Sequence, residues 1–310
     1  MTEHAQPLNI LVAGIYWSGS GAVVDYLKGH PDCVVPRGEF TDFKRSGRIG
    51  SLLEAVSPFK AKWLARMMWF ETAMGKLPAA QLKKARGADQ AKLAPKEQVR
   101  HNQLKLEYLG RYRKHLAKGG APSDSRIWND WMHAVGQAYA AGEKAIVWNQ
   151  PIWVGKHEGT WPAVFTPFKL IVVHRDPVDQ FAEVVRQGKI GKRKSDPAFD
   201  DSENDDIAYV LKGIAAKMES LMALQAQLGE SYMLAVSFER FVKDHKTEAR
   251  RVCDFLDFPE AQLPSAPFNP SYSIRNVGIG DTDQIRGMLK DHQPLVDRLY
   301  DLRTQFDNAQ

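Results

Sequence analysis

The sequence predicts an α/β protein, a central parallel β-sheet flanked by helices and carrying a helical insertion. Three observations lead to that expectation. Apolar, β-branched runs at residues 8–13, 169–173 and 232–236 are each followed by helical spacing, the alternation that builds parallel sheets. The turn after the first run is rich in glycine and serine and passes straight into its helix. Strand signals then vanish between about residue 44 and residue 143, which reads as an insertion into one domain spanning 1–310. A chain of 310 residues is long enough for one large core with such an insertion.

Residues 8–13 read as a buried strand, and residues 22–28 as a helix with Val23, Val24 and Leu27 on one side, closed by Gly29. A strand, a tight loop and a helix favour an anion. The first helical N–H groups lack internal partners, and the helix dipole adds positive charge at that end. Gly19, Ser20 and Gly21 allow the backbone to approach a phosphate closely. A nucleoside triphosphatase loop needs G-x-x-x-x-G-K-[ST]. Gly14 and Gly19 have that separation, but Ser20 and Gly21 stand where the lysine and the hydroxyl belong. ATP or GTP hydrolysis is therefore disfavoured.

Residues 33–35 form a second short strand, ended by Pro36, with Arg37, Glu39 and Asp42 in the loop beyond. That loop lies at the carboxyl edge, where parallel sheets form their ligand crevice. Glu39 is thus a candidate functional carboxylate, set against the plainer alternative of a solvated loop residue. The insertion carries Trp63, Leu64, Met67, Met68 and Phe70 at helical spacing. From Lys83 to Lys118 it holds eleven Lys or Arg against three acids. A solvated helical face and a basic wall for an anionic acceptor both fit.

The sheet resumes at residues 145–148, and Asn149 and Gln150 follow at the crevice edge. Beyond the strand at 169–173, Arg175 stands at the strand end and Asp176 can cap a helix opening at Pro177. An arginine–aspartate pair and an arginine fork on a phosphate are both open there. Residues 189–206, basic and then acidic, read as an exposed loop, either mobile over the cleft or merely solvated. A helix over 207–228, the strand at 232–236 and a helix with Val252, Phe255 and Leu256 inward complete the sheet. The tail holds a glycine-containing loop with Arg275 and Asn276, then a last helix through Leu289, Leu295 and Leu299.

A net charge of +5 suits a polyanionic small ligand. No run reaches the roughly 18 apolar residues of a membrane span, and residues 1–7 lack a signal-peptide core, so a cytoplasmic location is expected. Cys33 and Cys253 are too few for a disulfide framework or a metal site and read as buried free thiols.

Taken together, these pieces resemble the sulfotransferases that use 3′-phosphoadenosine 5′-phosphosulfate (PAPS). Ser18, Gly19 and Ser20 match the family's first-strand loop, and Arg175, Asp176, Pro177 and Asp179 match its R-[DN]-P-x-[DA] run. Phe238, Glu239, Phe241, Phe255 and Leu256 match a strand–helix motif, and Ser273, Asn276, Val277 and Gly278 match a C-terminal S-x-x-N-[VI]-G run. Residues 44–143 match none of its motifs.

The resemblance implies a P-loop-like fold and PAPS as co-substrate, with no metal. PAPS carries phosphate at both ends of its ribose and needs two anion sites. Trp17, Ser18, Gly19, Ser20, Gly21 and Ala22 would receive the 5′-phosphosulfate and Arg175 the 3′-phosphate, with Arg275, Asn276 and Gly278 also on the nucleotide. In the carbohydrate and heparan branches a glutamate after the second strand acts as base. His30, Pro31, Glu39 and Phe40 reproduce its context, which points to Glu39 as the catalytic residue and a carbohydrate or glycolipid hydroxyl as acceptor. The steroid and phenol branches use a histidine after the third strand, for which His157 is a distant candidate. The helical insertion would then form the acceptor side. A small-molecule or glycan acceptor is the expected partner, with no nucleic acid.

Three positions depart from the pattern. Trp17 replaces the basic residue before Ser-Gly, Glu183 replaces a serine eight residues after Arg175, and Asn149-Gln150-Pro151 replaces a lysine-containing motif. Two rivals therefore stand beside sulfuryl transfer: a P-loop kinase for a small molecule, and an inactive member binding a polyanion through residues 83–118.

Overall fold

The computed structural model describes residues 6–74, 96–153, 156–157, 159–192, 198–259 and 268–308. Part of the basic run, residues 83–95, and residues 193–197 of the exposed loop lie outside the described residues. Five strands form one parallel sheet in the order β2-β3-β1-β4-β5. They are β1 (Leu8–Gly14), β2 (Cys33–Val34), β3 (Ala145–Asn149), β4 (Phe168–His174) and β5 (Met233–Ser237). β4 pairs with β5 in parallel, Leu170 against Met233 through His174 against Ser237. Each strand lies within a residue or two of its expected position. In β1 and β4 every interior side chain but Lys169 is buried, as expected of strands covered on both faces.

The chain divides into two compact units. One comprises residues 10–40, 147–156 and 168–310. Its helices are α1 (Gly21–Leu27) after β1, then α7 (Pro177–Arg186) and α8 (Asp206–Leu228) between β4 and β5. After β5 come α9 (Phe238–Lys243) and α10 (His245–Leu256), then α11 (Pro270–Ser273), α12 (Asp283–Leu289) and α13 (Gln293–Asn308). The single helix expected after β5 is two, parted at Asp244, whose φ of −119° and ψ of 53° leave the helical region. The tail helix also restarts. Pro294 has no N–H to continue the preceding turn but is at home in the first turn of α13. The segment around Arg275, expected as a loop, is α11 followed by a 3₁₀ turn over Ile274–Asn276.

The other unit comprises residues 1–9, 41–146 and 157–167. Its helices are α2 (Ile49–Leu53), α3 (Pro58–Ala73), α4 (Lys96–Ala117), α5 (Arg126–Tyr139) and α6 (Trp161–Phe165). α3 packs on α4, α4 on α5, and α5 on α6. Trp128, Trp131, Tyr112 and Trp161 fill its core. Within it Asp42 is paired with His101 (2.7 Å) and with Lys105. Burial works to raise the Asp42 carboxyl, but the Lys105 charge and the His101 hydrogen bond hold it well below the usual carboxylate range. No described helix is long and apolar enough to cross a membrane.

Candidate functional site

The first loop is held from three sides. Gly14 ends β1 where a Cβ would lie 2.4 Å from Ser18 Oγ and 3.1 Å from Gln150 Nε2, so any side chain there would displace the buried Ser18 hydroxyl. Gln180, fully buried on α7, donates through Nε2 to the carbonyls of Ile15 and Tyr16. Gln150 Nε2 donates to Ser20 Oγ at 2.6 Å. Between these anchors Tyr16 and Trp17 take positive φ (26° and 57°), and Gly19 follows at 81° with Phe238 against its Cα. Positive φ in bulky residues persists only where the surroundings impose it. Here those surroundings are two glutamines that the sequence motifs do not contain.

Arg175 lies at the end of β4, 3% exposed. It donates through Nη2 to the Asn276 carbonyl and through Nη1 to the Trp17 carbonyl at 3.5 Å, and its guanidinium lies over the Phe238 ring at 5.1 Å. Burial lowers its pKa from the ordinary arginine value, while Asp179, Glu183 and Glu239 pull it back up. An arginine so placed stays charged. Among the described residues its Nε has no hydrogen-bond partner, and neither does the buried Nε1 of Trp17. Asp176 does not pair with Arg175. It caps α7, accepting from the N–H groups of Val178 (2.9 Å) and Asp179 (3.1 Å), and pairs with Arg303 at 3.1 Å.

Asp179, one turn into α7, accepts from Gly278 N (2.7 Å) and Gly280 N (2.8 Å). Burial raises its carboxyl while those two N–H groups and Arg175 lower it. The R-D-P-x-D run and the N-V-G run are therefore one construction. Arg175 and Asp179 hold the backbone of residues 276–280, and that segment returns to the first loop through the Arg175 fork. At the end of β5, Glu239 accepts the Asp176 N–H (2.7 Å), and Arg303 bridges Asp176 and Glu239.

These elements enclose a cleft of about 550 Å³. Trp17, Gly19, Gly21, Ala22, Arg175 and Asn276, all expected at the nucleotide, line it together. Ser18, Ser20, Arg275 and Gly278 do not. Ser18 is buried, Ser20 bonds Gln150, Arg275 lies exposed over the Tyr272 ring at 3.3 Å, and the Gly278 N–H is taken by Asp179. Glu39 is exposed and outside that lining. The next residue is fixed, since Phe40 N donates to the Asn149 carbonyl (2.9 Å) and its ring packs on Trp148. His30 bridges rather than reacts. Its Nδ1 accepts from Asp32 N (3.2 Å), which leaves Nε2 to donate to the Pro259 carbonyl (3.2 Å). His157, in the helical unit, pairs with Glu54 at 2.5 Å.

Glu183 lines the cleft but is not an isolated charge. Arg186 lies 2.5 Å from its Oε2, and Gln187 Nε2 donates to its Oε1 at 2.8 Å. Arg186 also reaches Asn276 Oδ1 at 3.4 Å. Arg186 is thus a second cation on the cleft wall, one i+3 step from the carboxylate that holds it. The sequence offers Arg186 only as a polar neighbour of the missing serine's position, and no motif points to Arg303, Phe268, Asn269 or Tyr272.

A family model described as "Sulfotransferase family" matches residues 7–262, most of the chain. The chain belongs to the sulfotransferase family. This sulfotransferase is similar in structure to the sulfotransferase domain of the Synechococcus PCC 7002 olefin synthase (16% identity, TM-score 0.45, covering 89% of this chain and 82% of that one). It is also similar to a sulfotransferase from Alicyclobacillus acidocaldarius (15%, TM-score 0.46, 96% of each chain). The sulfotransferase domain from the curacin biosynthetic pathway is a third such structure (13%, TM-score 0.48, 98% and 99%). No curated protein matches the sequence.

Proposed function

We propose that this sulfotransferase moves a sulfuryl group from PAPS to a hydroxyl of a carbohydrate or glycolipid. The observation that carries the proposal is the buried Arg175 guanidinium. Its Nε is unpartnered among the described residues, and it lies on the same cleft wall as Trp17, Gly19 and Gly21. A buried cation with a spare donor beside a glycine loop fits a nucleotide with phosphates at both ribose ends. In the transfer, the acceptor oxygen bonds to sulfur as the bond from sulfur to the bridging phosphate oxygen breaks. Adenosine 3′,5′-bisphosphate departs with the electron pair, and the acceptor proton passes to a base.

Arg175 would hold the 3′-phosphate, and the 17–22 loop the 5′-phosphosulfate. Arg186 would supply the positive charge that Trp17 lacks. Catalysis of this kind is mainly positioning and charge stabilisation. Glu39 is the base we assign, and its H-P…E…F context supports a sugar acceptor. Trp128, Trp131 and Trp161 of the helical unit are buried in its core and offer no face for a sugar to stack on.

Thermal unfolding with adenosine 3′,5′-bisphosphate, ATP or 5′-AMP tests the nucleotide. The bisphosphate at a hundredfold excess over Kd stabilises by about 2.7 kcal/mol, and the others by far less. Arg175→Ala and Arg175→Gln should lose that shift, whereas Glu39→Gln should keep it and lose sulfuryl transfer. Equal stabilisation by ATP would remove the PAPS assignment. Full turnover by Glu39→Gln would remove the base.

A further inference from the structure

Helix α3 has two apolar faces. Ala61, Leu64, Ala65 and Met68 are buried, on the side that packs against α4. At roughly 100° per residue, Phe59, Trp63, Met67, Phe70 and Met74 fall in a sector about 80° wide on the other side. Those side chains face solvent: Phe59 is 81% exposed, Trp63 56%, Phe70 51% and Met74 56%. A contiguous aromatic stripe of this kind marks a docking surface rather than chance exposure.

Its shoulders are cationic, with Lys62 and Arg66 to one side and Lys60 to the other. The helix has one acid, Glu71, which Arg48 neutralises at 2.7 Å. A second copy docked through a two-fold axis would bring Lys62 and Arg66 near their own counterparts, in like-charge repulsion. An anionic bilayer surface complements every part of the stripe. Tryptophan and phenylalanine belong at the boundary between headgroups and acyl chains, and flanking lysine and arginine belong on lipid phosphates.

We propose that the outer face of α3 docks in the plane of an anionic lipid membrane. A single amphipathic face of this kind attaches peripherally and reversibly. It does not depend on the sulfuryl-transfer reaction, and its test contains neither donor nor acceptor.

The test is co-sedimentation of the full chain with vesicles of phosphatidylcholine, with and without phosphatidylglycerol, at low and high salt. Binding is expected to the phosphatidylglycerol vesicles and to weaken with salt. Trp63→Ser combined with Phe70→Ser should reduce it more than tenfold. Neutralising Lys60, Lys62 and Arg66 to Gln should reduce it roughly fivefold per charge, on the anionic vesicles alone. All five positions lie on the outer face, so the variants should melt where the parent does. Four results overturn the proposal: no binding to anionic vesicles, binding indifferent to the aromatic substitutions, a melting point lowered by them, or a dimer that they dissolve.

Discussion

Arg303 is the residue on which the ends of β4 and β5 converge, although it belongs to the last helix. Its Nη1 lies 3.1 Å from Asp176 and its Nη2 2.9 Å from Glu239, with Arg303 and both carboxylates a quarter exposed or less. Replacing it by methionine keeps the stem and removes the fork. Two charge-assisted contacts, each worth about 1.5–3 kcal/mol, would be lost together. The loss falls short of their sum because each carboxylate keeps other donors. Asp176 retains the N–H groups of Val178 and Asp179, and Glu239 retains Asp176 N and Ser237 Oγ at 3.0 Å. Water also reaches both once the guanidinium is gone. We expect Arg303→Met to destabilise by about 2–3 kcal/mol, and Arg303→Lys by less, since lysine offers one point charge where a fork is needed. In a chain of this length that is roughly a 3–5 °C fall in melting temperature. Scanning calorimetry at neutral pH reads it directly. A variant melting with the parent would show that the fork is a surface ion pair of no consequence and that nothing ties the ends of β4 and β5 together through it.

Three further outcomes are expected. Gly19→Ala places a Cβ 2.5 Å from the Phe238 ring at a φ of 81°; strain and overpacking together should cost about 2–5 kcal/mol and abolish bisphosphate binding, read by calorimetry and titration. Glu183→Gln removes the carboxylate that neutralises Arg186, so affinity for adenosine 3′,5′-bisphosphate should rise up to roughly tenfold at low salt, and an unchanged or weaker affinity would deny Arg186 a place at the ligand. Burial pushes the Cys33 thiol from 9.0 up to about 12. Between those values the unfolded chain releases a proton that the native chain keeps, so this group's contribution to stability falls as pH rises above 9. At pH 8 native Cys33 and Cys253, both buried, should react with a disulfide reagent only on the timescale of unfolding.

The strands were legible because burial on both faces leaves a continuous apolar run, and β4 with its terminal arginine is the clearest case. The cap at Asp176 was legible for a local reason, since a residue that caps a helix contacts N–H groups two and three positions on. What the sequence hid is long-range. Gln180 lies one turn beyond Asp176 on an amphipathic helix, and nothing local says that its amide reaches Ile15 and Tyr16, some 165 residues earlier. Arg303 hides in the same way, among charged residues of a tail helix whose spacing speaks only of its buried side.

Glu183 is the instructive case. Read alone, a carboxylate eight residues after Arg175 argues against an anion site. Its partners, Arg186 and Gln187, sit at i+3 and i+4, where one turn of helix brings side chains together. The cue is therefore local: the pairing that relieves the repulsion stands three and four letters downstream. On the function proposed above, Arg186 of α7 would supply the cation missing at Trp17, and Glu183, which looks like a defect when read alone, is its ion-pair partner.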